Sequence, residues 1–141
     1  MKVLHLVCLM FIIFISQKCQ GRDLNSFDGV LSKEWLLELG YDPETTTQLN
    51  LANMGIKSVE ESTLDEYTQL ESTDLSNNEI VRLDPELFNN CLKLETIDLR
   101  HNRLELIDSS LFEGLSELKV LSLSHNRLFY LDEGSLPSLN S

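Results

Sequence analysis

Basic side chains are scarce in this sequence: its 141 residues carry 11 Lys and Arg against 23 Asp and Glu, a formal net charge of −12. Proteins that hold phosphate backbones do so with clustered Lys and Arg, so nucleic acid is not expected as a ligand. Aromatic residues make up only 7%, and the length allows one ordinary globular domain at most. Catalytic motifs are missing as well. There is no G-x-S-x-G, no H-E-x-x-H and no P-loop, which removes the common sequence marks of serine hydrolases, zinc proteases and nucleotide hydrolases. No Asn-x-Ser/Thr acceptor for N-glycosylation occurs, and Asn89-Asn90-Cys91 is only a weak variant of one.

What is present begins with an unusual first segment. Residues 1–21 hold 14 hydrophobic residues and no Asp or Glu: Lys2 precedes the run Val3 to Ile15, apolar apart from His5, and Ser16, Gln17 and Lys18 lead to Cys19-Gln20-Gly21. This is the three-part layout of a secretory signal peptide, with cleavage expected after Gly21. An uncleaved signal anchor is the alternative, but a run of 13 apolar positions falls short of the roughly 20 that span a bilayer. The mature chain, residues 22–141, is then expected to be secreted and to carry no membrane span. It has 9 Lys and Arg against 23 Asp and Glu, a net charge of −14. The excess acid lies mainly between Glu60 and Glu86 and reads as a solvated face. Cys8 and Cys19 leave with the leader, so Cys91 has no internal disulfide partner. It can pair between chains or stay a buried free thiol, and its place in an apolar column favours burial.

The remainder repeats. Leu70 to Leu83, Leu94 to Ile107 and Leu118 to Leu131 align without a gap at a period of 24 residues. A weaker copy opens near Thr46, where Leu49, Leu51, Ile56 and Val59 match Thr73, Leu75, Ile80 and Leu83. The second halves agree too: Leu64, Phe88, Phe112 and Leu136 form one column, and Tyr67, Cys91, Leu115 and Leu139 another. Alternation at Ile97 and Leu99, and at Leu121 and Leu123, predicts a half-buried strand in each copy. The chain must then turn, and a buried turn leaves backbone groups that need partners. Asn78, Asn102 and Asn126 stand at that point, where an amide can both donate and accept, and so read as a structural ladder. Met54 occupies their column in the first copy, with Asn53 beside it as the residue able to compensate.

The pattern L-x-x-L-x-L-x-x-N-x-L-x-x-L followed by x-x-x-x-F-x-x-L resembles the leucine-rich repeat family, in the 24-residue form common in Toll-like and other animal extracellular proteins. The resemblance covers residues 46–141 as four repeats, 46–69, 70–93, 94–117 and 118–141. It implies an α/β leucine-rich-repeat solenoid, right-handed, with one short parallel strand per repeat on a concave face and an irregular or 3₁₀ convex side. Residues 22–45 lie outside the period. Ser32 can cap a short helix holding Trp35, Leu36 and Leu39, stopped by Gly40 with Pro43 beyond. An apolar face of Leu31, Trp35 and Leu39 is then expected to cover the open end of the solenoid, in place of the disulfide-bonded cap of many family members.

Function in such a scaffold falls to the positions it leaves free. On the concave face these form four columns: Gln48, Ser72, Thr96, Val120; Asn50, Asp74, Asp98, Ser122; Ala52, Ser76, Arg100, Ser124; and Asn53, Asn77, His101, His125. The surface is small, polar and nearly neutral, which suits hydrogen bonding to another protein, and Asp74, Ser76, Thr96, Asp98, Arg100, His101, Ser122, Ser124 and His125 are the expected binding residues. His101 and His125 with Asp98 could be imagined around zinc, and Ser122 or Ser124 with His125 and Asp98 as a hydrolytic triad. The family resemblance makes His an ordinary occupant of its column, and nothing specifies a pocket, so no metal, cofactor or catalysis is expected. Along the edge after each strand the pairs Lys57-Ser58, Val81-Arg82, Glu105-Leu106 and Phe129-Tyr130 grow more apolar, and Phe129 and Tyr130 read as interface anchors. The last repeat presents Leu118, Leu121, Leu123, Leu128, Leu131, Leu136 and Leu139 to a next repeat, from which end-on self-association or docking of a partner is expected. The reading is a secreted leucine-rich-repeat module for protein–protein recognition, of innate-immune, receptor or adhesion type. The alternative is part of the ectodomain of a larger membrane receptor.

Overall fold

A computed structural model describes residues 27–129. The chain runs through β1 (Val30–Leu31), α1 (Lys33–Glu38), β2 (Gln48–Asn50), β3 (Ser58–Val59), β4 (Ser72–Asp74), β5 (Thr96–Asp98) and β6 (Val120–Ser122). Strands β2, β4, β5 and β6 form one parallel sheet in chain order. Gln48, Ser72, Thr96 and Val120 stand side by side, so the 24-residue period of the sequence is the register of the sheet.

Period-two alternation explains each strand. The central residue of β2, β4 and β5, namely Leu49, Thr73 and Ile97, is buried while its neighbours face outward. Leu51, Leu75 and Leu99, then Ile56, Ile80 and Leu104, continue the core around the turn, and Leu64, Phe88 and Phe112 close it on the far side. Phe88 and Phe112 stack with centroids 6.5 Å apart. The convex side consists of successive turns closed by i→i+3 bonds, as from Tyr67 N–H to the Leu64 carbonyl and from Cys91 N–H to that of Phe88. No regular 3₁₀ helix forms among the described residues. Asp84 and Asp108 start two of these turns by accepting the N–H two residues on, at 2.8 and 3.0 Å, so part of the acid excess has a local structural use. Glu60, Glu61, Glu66, Glu71 and Glu86 are exposed, as a solvated acidic face requires.

Cys91 is a buried free thiol. Its sulfur lies 3.7 Å from the Leu64 carbonyl oxygen, and burial, with Asp65 nearby, pushes its pKa up to about 12. Burial and the raised pKa both disfavour the thiolate that would react or pair between chains. Burial of Tyr67, together with Asp42 and Glu66, likewise raises its phenol to about 12.

The asparagine ladder runs backward along the chain. Asn102 accepts from Ile80 N–H of the preceding repeat at 3.1 Å and donates to the carbonyls of Leu75 and Leu99 at 2.9 and 3.2 Å. Asn78 does the same for the first repeat, accepting from Met54 N–H and Ile56 N–H, both at 3.0 Å, and donating to Leu51 at 2.9 Å. Each asparagine therefore ties its own turn to the one before it. That is why Met54 is tolerated, and it corrects the expectation that Asn53 compensates: the missing amide is supplied by Asn78.

The N-terminal segment takes the place of a preceding repeat. Ser32 caps α1 through a bond from Trp35 N–H to its Oγ at 3.3 Å. Leu31 is buried and Trp35 and Leu39 pack against the core with part of their surface left exposed, while Leu36, outside the expected face, is the helix residue buried deepest; Trp35 also stacks on Phe27 at 4.2 Å. Ahead of the helix, β1 pairs with β3, and the Gly29 carbonyl accepts from Lys57 N–H at 2.7 Å. Gly29 adopts φ +94°, and a Cβ there would meet the Lys57 side chain at 2.9 Å. Glycine is required for this approach. At the other end Leu121, Leu123 and Leu128 are only partly buried where Ile97, Leu99 and Leu104 are enclosed. The expected leader (1–21), Tyr130, and Leu131, Leu136 and Leu139 lie outside the described residues. Among the described residues no helix is long and apolar enough to cross a membrane.

Candidate functional site

The sheet carries the candidate residues outward in the order the period places them. Arg100, His101, Ser124 and His125 are exposed, and Asp74, Thr96, Asp98 and Ser122 are half-exposed. Ser76 is the exception. It is buried, and its Oγ accepts from Asn77 Nδ2 at 3.2 Å. Ser76 therefore does not present its side chain on the concave surface.

The second column has a structural role that its outward position concealed. Asn50, Asp74 and Asp98 each accept the N–H two residues on, at 3.3, 2.9 and 3.0 Å, holding the backbone as it leaves the strand. The recurrence of an Asx residue every 24 positions was the available signal. Asp98 is further clamped by Arg100, whose Nε lies 3.0 Å from both carboxylate oxygens and whose Nη2 lies 2.6 Å from Oδ2. Hydrogen bonds from the Arg100 side chain outweigh partial burial and hold the Asp98 carboxyl below the usual range. The pair forms a pre-set fork at the middle of the concave face.

The fourth column is set by backbone conformation. Asn53, Asn77, His101 and His125 have φ of 60°, 56°, 54° and 58°, the left-handed region that Asn and His enter more readily than most residues. The two imidazoles stack with centroids 4.2 Å apart and planes 5° from parallel. Lone pairs in parallel rings do not converge on one ion, and both Asp98 oxygens are engaged by Arg100. Among the described residues no three His, Cys, Asp or Glu side chains form a group able to hold a metal. Nor do Ser122, Ser124, His125 and Asp98 form a relay, since the carboxylate orients the Arg100 guanidinium and His125 rests on His101.

At the edge, Lys57, Ser58, Val81, Arg82 and Leu106 are exposed and Glu105 is half-exposed. Phe129 is 76% exposed, so the apolar gradient toward the later repeats exists through Phe129.

A parallel sheet built one strand per 24 residues, with an amide ladder behind it, defines a repeat solenoid. The family model described as Leucine rich repeat matches residues 44–104 and again 92–141. The chain belongs to the leucine-rich repeat family. Among solved structures, the leucine-rich repeat domain of APL1B is similar at a TM-score of 0.68 and 23% identity, over 94% of this chain and 38% of that one. Internalin C2 from Listeria monocytogenes is similar at a TM-score of 0.52 and 20% identity, over 74% of this chain and 51% of that one. This chain thus spans between a third and about half of the length of these two structures, and at these identities the likeness is one of fold. No curated protein matches the sequence.

Proposed function

We propose that this protein is a secreted recognition module that binds another protein through its concave sheet and has no chemistry of its own. The observation that supports the concave face is its combination of rigidity with unspent polar groups. Thr96, Ser122, Ser124 and the stacked His101 and His125 project from a sheet whose register is fixed on both sides, around the pre-formed Asp98–Arg100 fork. Rigid placement of short polar side chains lowers the ordering cost of binding. Secretion follows from the leader read in residues 1–21, and the same reading sets four repeats over 46–141 behind a cap at 22–45. Phe129 and Tyr130 at the edge are the proposed apolar anchors beside the polar face.

The test is affinity capture from extracellular fluid with paired variants. Ser124→Arg with His125→Asn blocks the face while keeping a residue suited to positive φ, and Glu86→Lys on the convex side is the control. Loss of the captured protein with the face variant and retention with the control is the expected result. Full retention by the face variant, with loss on Phe129→Glu, would place binding on the edge instead. Secretion is checked by expression in a secretory cell and mass spectrometry of the medium, with an N-terminus at Arg22 expected.

A further inference from the structure

Arginine is distributed unevenly over this acidic chain. Among the described residues Arg82, Arg100, Arg103 and Arg127 all lie in the stretch that follows a strand of the main sheet. Two of them are engaged inside the molecule: Arg100 by Asp98, and Arg103 by Glu79 of the preceding repeat, its Nη2 3.2 Å from Oε2. Backbone bonds hold that second column in register, with Glu79 N–H donating to the Ile56 carbonyl, Arg103 N–H to Ile80 and Arg127 N–H to Leu104, at 2.7, 2.9 and 2.9 Å. Arg127 therefore continues the column with Arg103, and not an acid, as its neighbour in the preceding repeat. It is exposed, and among the described residues it makes no ion pair.

The same stretch presents an apolar group beside this cation. Leu128 packs against the core, while Arg127 and Phe129 on either side of it are exposed. They are two residues apart, the spacing of alternate side chains along an extended strand, about 6.6 Å. Phe129 N–H donates to the Glu105 carbonyl at 3.4 Å, which ties the pair to the third repeat. His125, two residues before Arg127, is exposed as well and rests on His101. No Asp or Glu occurs from Val120 to Phe129, whereas the matching stretches hold Asp74 and Glu79 in the second repeat and Asp98 and Glu105 in the third. The exposed Glu60, Glu61, Glu66 and Glu86 belong to the turns across the core from the sheet. Exposed charges separated by more than about 8 Å are largely screened at physiological salt, so a partner approaching this corner meets its local positive charge and not the net charge of the chain.

We propose that His125, Arg127 and Phe129 form a docking corner for an extended acidic segment of the partner protein, one that carries a carboxylate and, two residues away, an aromatic or large apolar side chain. The proposal rests on the reading of the sheet as a protein-binding face and specifies what that face takes. The planar guanidinium of Arg127 fits a carboxylate through two parallel N–H···O bonds. Phe129 supplies an aromatic surface for the apolar side chain. An extended partner repeats the two-residue spacing of the corner, so both contacts form at once. A basic segment meets Arg103 and Arg127 as like charges and is refused.

Fluorescence anisotropy of labelled synthetic peptides titrated with the purified protein tests this. The probes are repeats of Glu-Thr-Phe-Thr, of Lys-Thr-Phe-Thr and of Glu-Thr-Ser-Thr, and the first should bind about tenfold tighter than either of the others. Arg127→Glu and Phe129→Ser should each weaken that binding about tenfold. Lys93→Glu makes the same change of charge at the other border of the sheet, before β5, and should leave it within about twofold. A basic peptide that binds as well as the acidic one, or an equal loss with Lys93→Glu and Arg127→Glu, overturns the proposal. Capture of a partner that is lost with Ser124→Arg and His125→Asn, alongside no preference for the acidic peptide, leaves the protein-binding reading standing and overturns this one. Capture indifferent to the face and corner variants alike overturns both.

Discussion

The first and third repeats share one 24-residue pattern, yet their backbones are satisfied by different means. In the third, Leu99 N–H donates to the next strand at Ser122 and the preceding strand donates to Asp98. Its turn is bridged by Asn126, whose Oδ1 accepts from Leu104 N–H at 3.1 Å. The first repeat is also bridged from its successor, by Asn78, but on its open side the Tyr41 hydroxyl stands in for a strand and Gly29 to Leu31 for an edge. Ladder amides reach backward, so a first repeat can dispense with its own asparagine. It cannot dispense with a cover. The fourth repeat is the less enclosed one: Asn126, Leu121 and Leu123 are less buried than Asn102, Ile97 and Leu99.

The largest expected effect is in the core column. Leu99→Ala should cost about 2 to 5 kcal/mol, and Leu123→Ala less than half as much, because its side chain already meets water. Equal shifts of the urea midpoint would mean that the burial gradient between the third and fourth repeats has no energetic weight. Next is the ladder. Asn102→Ala strands several buried backbone groups and should cost about 3 kcal/mol, whereas Met54→Asn in the same column should change stability by no more than about 0.5 kcal/mol. If Met54→Asn stabilises as strongly as Asn102→Ala destabilises, the first turn lacks the partner assigned to it in Asn78.

Gly29→Ala should loosen the cover by about 1 to 2 kcal/mol, since its backbone is left-handed and faces Lys57 closely. Trp35 fluorescence reports it, and an early transition separate from the main unfolding is expected. Thr73→Val runs the other way. Thr73 Oγ1 is buried without a partner among the described residues, and replacing the hydroxyl by a methyl should stabilise by about 1 kcal/mol in thermal melts. A loss would reveal a partner for that oxygen. The smallest effect is pH-dependent. Because the folded Asp98 carboxyl is held below its usual range by Arg100, its contribution is fully present above pH ~4 and is lost as pH falls through the lower folded value. Asp98→Asn should flatten that part of the acid limb by about 0.5 kcal/mol, and an unchanged limb would mean that the clamp contributes nothing to folding.

The candidate face shows how far residue types carry. Which residues share it followed from the period alone, but Ser76 reads like Ser124 in sequence and only its surroundings bury it. Asp74 and Asp98 looked free because a one-dimensional pattern records facing and not hydrogen bonds. His101 and His125 are of a type that recurs in metal sites, but their column demands positive φ, a preference that Asn53 and Asn77 display as well.

By itself, the sequence determined the repeat, its register, the buried columns, the amide ladder and the capped helix after Ser32, because hydrophobic periodicity and capping chemistry act over a few residues and recur in every copy. Tertiary structure alone decided which turn each asparagine serves, how Gly29 and Tyr41 replace a missing neighbour, and that Leu36 anchors the helix more deeply than Trp35 does. Those outcomes depend on groups 9 to 28 residues apart meeting at one point, and at the unpaired end of a repeat no period exists from which to read them.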